Sequence, residues 1–275
     1  MPILRSIPMP FTASVITTKE WGADPPHNAP FRRTVPRYVV IHHTFIPSNS
    51  SGATTEGAMK TAKQIQEYHM GPDNYWSDSG HNFLNCKGGI LLEGRHGSLA
   101  AAREGFSVQS AHALQDPPGL AGGNSSPGIE NEGDFNQEVM EDDQWNSLVE
   151  LCTSLCSTCE IDPVNIRGHS EFSDTSCPGD WLYGQIGRLQ AEVRARLGLP
   201  IPDPVLATEL SFGSRGPAVS RLQERLRELG FNPGPNDGDF GDQTQSAVMN
   251  FQTSSGLKAD GIVGPKTLAT LGILS

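Results

Sequence analysis

Apolar positions in the first two hundred residues switch repeatedly between strand-like and helix-like spacing. The run RYVVIHH at 37–43 is short and rich in β-branched residues, which predicts a buried strand. The segments HNFLNC and GILLEG predict a hairpin that turns at 87–89, and GIENEG at 128–133 predicts a further strand. These segments together predict a sheet.

Helical spacing fills the intervals between these strands. MKTAKQIQEYH at 59–69 has helical periodicity, and the stretch 181–197 carries apolar residues every three or four positions. A third helix is predicted from Asp142, where the apolar positions are Trp145, Leu148, Val149, Cys152, Leu155, Cys156 and Cys159. Interleaved strands and helices predict an α/β domain with a mixed central sheet flanked by helices.

The C-terminal part has a different pattern, which predicts a small all-α three-helix domain. A helical stripe from Val219 to Leu229 ends at Gly230. The segment DGDFGDQT at 237–244 is then repeated as DGIVGPKT at 260–267, each an Asp-Gly turn leading into a helix. Pro265 suits a first helical turn, where its missing N–H costs nothing.

A proline-rich segment separates the two patterns. GLPIPDPVLAT contains three prolines and follows a predicted helix, which is typical of a linker. We therefore expect a first domain at 1–198, a linker at 199–208 and a second domain at 209–275.

Charge and composition exclude two classes of partner. A net charge of −11 argues against nucleic acid, which requires a basic surface. No apolar run approaches the roughly 20 residues of a membrane helix, so no membrane partner is expected. The N-terminal segment MPILRSIPMPFTAS lacks the apolar stretch of a secretory signal.

The chain has five cysteines, and an odd count argues against a complete disulfide framework and suggests that at least one cysteine has another role. Cys152, Cys156 and Cys159 imitate the spacing of iron–sulfur ligands, but all three lie on the apolar stripe of one predicted helix. A cysteine there acts as a small hydrophobic residue. Cys177 lies apart from that stripe, in a polar loop.

Two histidines and this cysteine form a candidate metal site. His42 ends the predicted strand, while His169 and Cys177 bracket the loop HSEFSDTSC. Two imidazoles and one thiolate leave the fourth position of a tetrahedral zinc ion open, as in catalytic sites. The spacing alone also allows packed or solvated histidines.

Four motifs, VVIHHT, SGHNFL, GIENEGDF and GHSEFSDTSCPGD, occur in this order. Together with EWGADPP at 20–26 they resemble the zinc N-acetylmuramoyl-L-alanine amidases, which share a fold with peptidoglycan recognition proteins. The resemblance covers roughly 15–198. It implies one zinc ion per chain on His42, His169 and Cys177. His43 points to the opposite strand face and is expected to be structural.

The resemblance also implies catalytic groups. Glu130, the first residue after the GI of GIENEG, matches a general base of this family, and Glu132 is a lesser candidate on the same strand face. Thr175, two residues before Cys177, matches a group that faces the carbonyl under attack.

The remaining implied residues concern proton transfer and substrate contact. His81 stands where many members have Tyr, which leaves both a catalytic and a purely structural role open. Asn82, next to it in SGHNFL, and His112, in SAHAL, are predicted to line the substrate groove. His112 matches an Ala-His element of that groove.

The resemblance implies hydrolysis of the amide between N-acetylmuramic acid and the L-Ala of the stem peptide. The C-terminal domain resembles three-helix peptidoglycan-binding domains, so a monomer that acts on the bacterial cell wall is expected, such as a phage-type endolysin released by lysis. A non-catalytic peptidoglycan receptor is the alternative, although such receptors typically lack the Cys ligand. A zinc hydrolase of another amide is a second alternative.

Overall fold

The computed structural model describes residues 10–44, 51–113, 123–199 and 209–271. The chain divides into two compact units, residues 1–199 and 200–275. Residues 1–9 of the N-terminal segment and 200–208 of the predicted linker lie outside the described residues.

Unit 1 is built on a mixed six-stranded sheet. The described strands of this unit are β1 (Val15–Ile16), β2 (Arg33–Thr34), β3 (Val39–His43), β4 (Phe83–Cys86), β5 (Ile90–Glu93), β6 (Ser107–Val108), β7 (Gly128–Asn131) and β8 (Ile166–Gly168). The strand order is β1-β5-β4-β7-β3-β8, and β2 pairs with β6 in a separate antiparallel ribbon. Within the main sheet only the β4–β5 hairpin is antiparallel.

Helices cover both faces of this sheet. They are α1 (Thr18–Trp21), α2 (Thr55–Met70), α3 (Ser98–Arg103), α4 (Asp142–Thr158), α5 (Asp180–Gly184) and α6 (Ile186–Arg196). The larger core lies between α4, α6 and the side chains of one sheet face, including Ile41 and Phe83. A smaller core lies between α2 and the opposite face, where Leu84 and Leu92 are buried. The predicted α/β class with a mixed sheet is therefore confirmed.

Local chemistry explains where the elements begin and end. Helix α2 begins earlier than the predicted 59–69 because Thr54 caps it, its hydroxyl accepting from Gly57 N at 3.1 Å. The β4–β5 turn requires positive φ at Gly88 and Gly89, which suits glycine. The single helix predicted at 181–197 is instead interrupted at Gln185, just after Gly184, a poor helix former.

The four buried cysteines pack as apolar residues. Cys152, Cys156 and Cys159 lie along the inner side of α4 and at its end, and Cys86 lies in the core beneath α2. None of the five cysteines, all of which lie within the described residues, forms a disulfide. The burial of Cys152, Cys156 and Cys159 among apolar side chains agrees with their interpretation as small hydrophobic residues.

Unit 2 is a three-helix domain, as predicted. Its helices are α7 (Pro217–Glu228), α8 (Asp242–Ser254) and α9 (Pro265–Leu271). The repeated DG segments form equivalent turns around two buried glutamines: Gln223 accepts from Gly238 N, and Gln252 accepts from Gly261 N, both at 3.0 Å. In neither unit does a described helix combine the length and the apolar character needed to cross a membrane.

Candidate active site

The site lies on the α2 face of the sheet, where three central strands are in register. His42 of β3 pairs with Glu130 of β7, and Glu130 pairs with Leu84 of β4. Side chains that are directly opposite on neighbouring strands point to the same face. His42 and Glu130 therefore project side by side, and both are buried. His43 points to the other face, where its Nδ1 accepts from Phe135 N at 3.2 Å.

The loop after β8 brings two further polar groups to His42. Strand β8 pairs with β3, with Gly168 opposite Ile41, so His169 emerges next to the end of β3. The loop folds back through a hydrogen bond from Ser170 N to Cys177 O at 2.9 Å. Cys177 Sγ then accepts from His43 N at 3.4 Å. The C-terminal edge of the sheet thus collects all three predicted ligands.

The donor atoms of His42, His169 and Cys177 all lie within 4.8 Å of one another. Cys177 Sγ is 3.7 Å from His42 Nδ1. A tetrahedral zinc ion with ordinary Zn–N and Zn–S bonds separates such a pair by about 3.6 Å. The chemistry and the spacing of these donors therefore fit zinc, with two imidazoles and one sulfur leaving a fourth position for water or substrate.

Electrostatics at the site favour neutral imidazoles and an added cation. Burial lowers the pKa of His42 well below its ordinary value and lowers that of His169 to about 4, so both are neutral near pH 7 and have lone pairs for a metal. Burial also raises the pKa of the Cys177 thiol to about 12. A thiolate in this environment requires a bound cation to balance its charge.

Glu130 and His81 form a buried pair beside these donors. His81 Nδ1 contacts Glu130 Oε2, and both side chains are less than a tenth exposed. Burial raises the pKa of Glu130 to about 7. A carboxyl with a pKa near the working pH can both accept and return a proton. The His81 ring also lies edge-on to His42, with centroids 4.6 Å apart.

The backbone of the loop between His169 and Cys177 orients the side chain of Thr175. Its Oγ1 accepts a hydrogen bond from Cys177 N at 3.2 Å, and the side chain is half-buried. Because a hydroxyl is both acceptor and donor, this bond leaves its hydrogen for another partner. Thr175 therefore lies next to a candidate metal ligand and has a hydroxyl hydrogen available for a further hydrogen bond.

His112 lies behind His42 and away from solvent. It is 5% exposed, its Nδ1 lies 3.0 Å from His42 Nε2, and its Nε2 lies 3.0 Å from Ser126 O. Both ring nitrogens are therefore engaged within the protein. The prediction that His112 lines the substrate groove is not supported, because no ring nitrogen remains for substrate.

Asn82 is likewise a structural residue. Its Nδ2 donates to Ser98 Oγ at 3.1 Å and to Val108 O at 2.9 Å, and its Oδ1 accepts from Gly128 N at 3.0 Å. The side chain is 1% exposed. Its hydrogen-bonding groups join β4 to β7 and β6, so this structure lends no support to the predicted contact of Asn82 with substrate.

Glu132, the lesser candidate for general base, binds backbone N–H groups of two neighbouring segments. Its two carboxylate oxygens accept from Ser51 N and Lys87 N at 2.9 and 3.0 Å. It lies beyond the end of β7, so the period-two argument for a shared face does not bring it to the donors.

Asn131 supports the site but was missed at the sequence level. Its Nδ2 donates to His42 O at 2.8 Å, and its Oδ1 accepts from Asn85 Nδ2 at 2.8 Å. Both asparagines are fully buried. The available signal was an Asn within each of two predicted strands, where a buried amide without a partner is costly.

Two family models match the chain. Residues 32–180 match the N-acetylmuramoyl-L-alanine amidase family. Residues 215–271 match the family described as "Putative peptidoglycan binding domain". The first match contains all the residues discussed for the site, and the second contains both buried glutamines of unit 2.

Individual relatives resemble unit 1. Peptidoglycan-recognition protein LB of Drosophila melanogaster is 28% identical over 176 residues, which are 64% of this chain and 68% of that protein. The "Probable N-acetylmuramoyl-L-alanine amidase" of Bacillus licheniformis is 30% identical over 153 residues, half of this chain but only 42% of that protein.

A solved structure shows the same fold. A Drosophila PGRP-LB variant in complex with tracheal cytotoxin superposes with a TM-score of 0.51 at 27% identity, covering 63% of this chain and 92% of that one. The amidase family model spans more than half of the residues, in agreement with the fold and the placement of the donors. The chain belongs to the N-acetylmuramoyl-L-alanine amidase family.

Proposed function

We propose that this chain is a zinc-dependent amidase that hydrolyses the bond between N-acetylmuramic acid and L-Ala in bacterial peptidoglycan. The observation that carries the proposal is the convergence of the His42, His169 and Cys177 donor atoms within 4.8 Å beside a buried carboxyl. Membership of the amidase family and similarity to a Bacillus amidase support the substrate.

The proposed mechanism assigns one role to each group near the donors. A zinc ion held by His42, His169 and Cys177 would supply Lewis-acid activation of water and of the amide carbonyl. Glu130 accepts the proton of the attacking water and returns it to the departing L-Ala amine. His81 holds the Glu130 carboxyl in place, while the Thr175 hydroxyl donates to the developing oxyanion.

Unit 2 is proposed to hold the enzyme on the wall. The match of residues 215–271 to a peptidoglycan-binding family supports this role, and unit 2 contains none of the groups assigned to the reaction. Tethering raises the local concentration of substrate without new catalytic contacts. We propose a monomer with one zinc ion that acts on intact wall outside the cytoplasm that made it, as an endolysin does.

Product analysis tests this proposal. Purified wall digested by the protein is expected to release stem peptides with a free L-Ala amino group, identified by mass spectrometry, and to leave intact glycan strands. A chelator should abolish the release and added zinc should restore it. Shortened glycan, or peptides cut at another bond, would show that the assigned reaction is wrong.

The similarity to a peptidoglycan-recognition protein favours one alternative, a receptor that binds peptidoglycan without cutting it. The presence of Cys177 in the donor group argues for the enzyme, because a receptor has no need of a thiolate ligand. Cys177→Ser distinguishes the two. Loss of product release with wall binding retained supports the enzyme, whereas wall binding without release by the unmodified protein supports the receptor.

A further inference from the structure

We propose that His112 is a positioning residue that fixes His42 in the tautomer whose Nδ1 lone pair points to the metal site. The inference rests on the proposed metal site at His42, His169 and Cys177. It concerns how one ligand is oriented, and it gives His112 a role different from contact with substrate.

The hydrogen-bond directions follow from one carbonyl. Ser126 O can only accept, so His112 Nε2, 3.0 Å away, carries the hydrogen that is donated to it. A neutral imidazole has one N–H, so His112 Nδ1 is the acceptor of the ring. His42 Nε2, at 3.0 Å from His112 Nδ1, must then be the donor.

The tautomer of His42 is thereby determined. With its hydrogen on Nε2, His42 has its lone pair on Nδ1, the atom that lies 3.7 Å from Cys177 Sγ. A ligating histidine commonly donates its other N–H to a carboxylate, a carbonyl or water, which orients the ring. Here a neutral imidazole stands between the ligand and the carbonyl, so the orienting contact adds no charge to the donor set.

Packing holds the His112 ring in this position. A Cβ at Gly128 would lie 2.3 to 2.6 Å from three atoms of the His112 ring, so the ring rests directly on the backbone of β7. Ser126 is fixed in turn, because its Oγ accepts from Arg37 N and Tyr38 N, each at 3.2 Å. The chain of hydrogen bonds from Ser126 through His112 to His42 therefore starts from a residue whose position is fixed by the backbone of 37–38.

Two substitutions, each of which keeps one polar atom at the position of a ring nitrogen, distinguish the hydrogen bonds of His112 from a packing role. In His112→Asn, the Asn Oδ1 is as far along the side chain as Nδ1 and can still accept from His42 Nε2. In His112→Gln, the amide reaches the Nε2 position and can still donate to Ser126 O, but nothing accepts from His42. The test measures zinc affinity by competition with a chromophoric chelator, on folded metal-free protein.

We expect His112→Gln to weaken zinc binding about 10- to 100-fold and His112→Asn to stay within a few-fold of the unmodified protein. Equal losses in both variants would indicate a packing role, and no loss in His112→Gln would also overturn the proposal. Gly128→Ala is a further variant that displaces the ring without changing its chemistry, and it should weaken zinc binding like His112→Gln.

A second measurement determines the tautomer of His42 in the zinc-free protein. Long-range ¹H–¹⁵N spectra of the histidine rings should show His42 protonated at Nε2 in the unmodified protein and in His112→Asn, and a mixture in His112→Gln. Protonation of His42 at Nδ1 in the unmodified protein would contradict the proposed hydrogen bond from His42 to His112. If that protein bound no zinc, the proposed function would fail as well. Unaltered zinc binding by His112→Gln would instead remove only this proposal.

Discussion

His42 and Glu130 are direct partners across β3 and β7, and both side chains project from the same face of the sheet. This register places a proposed metal ligand next to a proposed general base without any loop between them. Rigid strands hold such groups more precisely than loops do. His169 and Cys177 complete the site from a loop that is itself tied to β3 through the His43 N–H.

Glu130 should contribute far more to turnover than His81 does. Glu130→Gln keeps the size of the side chain but removes the proton acceptor, so kcat should fall about 10²- to 10⁴-fold with zinc retained. His81→Ala should cost less, and His81→Tyr should be tolerated, because a phenol can also donate a hydrogen bond to Glu130. Turnover at saturating substrate, with zinc content measured for each variant, checks this. A nearly inactive His81→Ala beside an active Glu130→Gln would reverse the two roles.

Asn82 should contribute to stability and not to substrate binding. Asn82→Ala removes three buried hydrogen bonds, so the free energy of unfolding should fall by about 2 to 4 kcal/mol. The KM of the folded variant for a soluble muropeptide should be unchanged. Chemical denaturation and steady-state kinetics measure these quantities. A raised KM with unchanged stability would restore the substrate contact expected from the sequence.

The paired glutamines of unit 2 should control wall binding. Gln223→Leu and Gln252→Leu each leave the buried groups of one repeat without a partner, and each should destabilise unit 2 by about 2 to 4 kcal/mol. In both variants, less protein should co-sediment with purified wall, while turnover on a soluble muropeptide stays constant. Gln243→Leu, on the exposed side of α8, is the control. Loss of soluble turnover in either variant would argue against separate roles for the two units.

The stability of unit 1 should fall in mild acid, partly because of His69. Burial lowers the pKa of His69 from about 6.5 to about 4, so between these values the unfolded chain binds a proton that the folded protein does not. The free energy of unfolding therefore decreases as the pH falls from 6.5 towards 4, and the share of His69 at pH 5 is about 2 kcal/mol. Above pH 6.5 His69 is neutral in both the folded and the unfolded chain, so it causes no such loss of stability.

His69→Asn isolates that share. His69 Nδ1 accepts from Gly80 N at 3.1 Å, and the Asn Oδ1 can take the same hydrogen bond but does not titrate. The loss of stability between pH 7.5 and pH 5 should be about 2 kcal/mol smaller in His69→Asn, measured by denaturation with a chelator present in both proteins. An equal loss in the two proteins would show that His69 does not carry this effect.

The sequence predicted the elements whose patterns are long or chemically marked. The strand of VVIHH, the turn at 87–89 and the long helix α4 are recognisable from β-branched, glycine and apolar positions. Strands β1, β6 and β8 contain only two or three residues and carry too little pattern to be detected. Their positions depend on partners distant in sequence, and β8 is the strand that delivers His169.

Residue type predicted the donors at the site but not the contacts around them. Imidazole and thiolate are zinc ligands, which made His42, His169 and Cys177 candidates, and the resemblance to the zinc amidases selected them from the other histidines and cysteines. The expected substrate contacts of Asn82 and His112 lack support in the structure for one reason. Adjacency to a motif indicates proximity to a site, whereas burial and hydrogen-bond saturation depend on how β4, β6 and β7 pack.

Zinc titration of turnover determines whether hydrolysis depends on a metal ion bound at His42, His169 and Cys177. Metal-free protein is given increasing zinc, and the release of L-Ala amino groups from purified wall is followed at each ratio. Release should be negligible without zinc, rise linearly with added zinc and level off at about one zinc ion per chain, and Cys177→Ser should require far more zinc. Full activity of the metal-free protein, or a Cys177→Ser titration identical to that of the unmodified chain, would contradict this dependence.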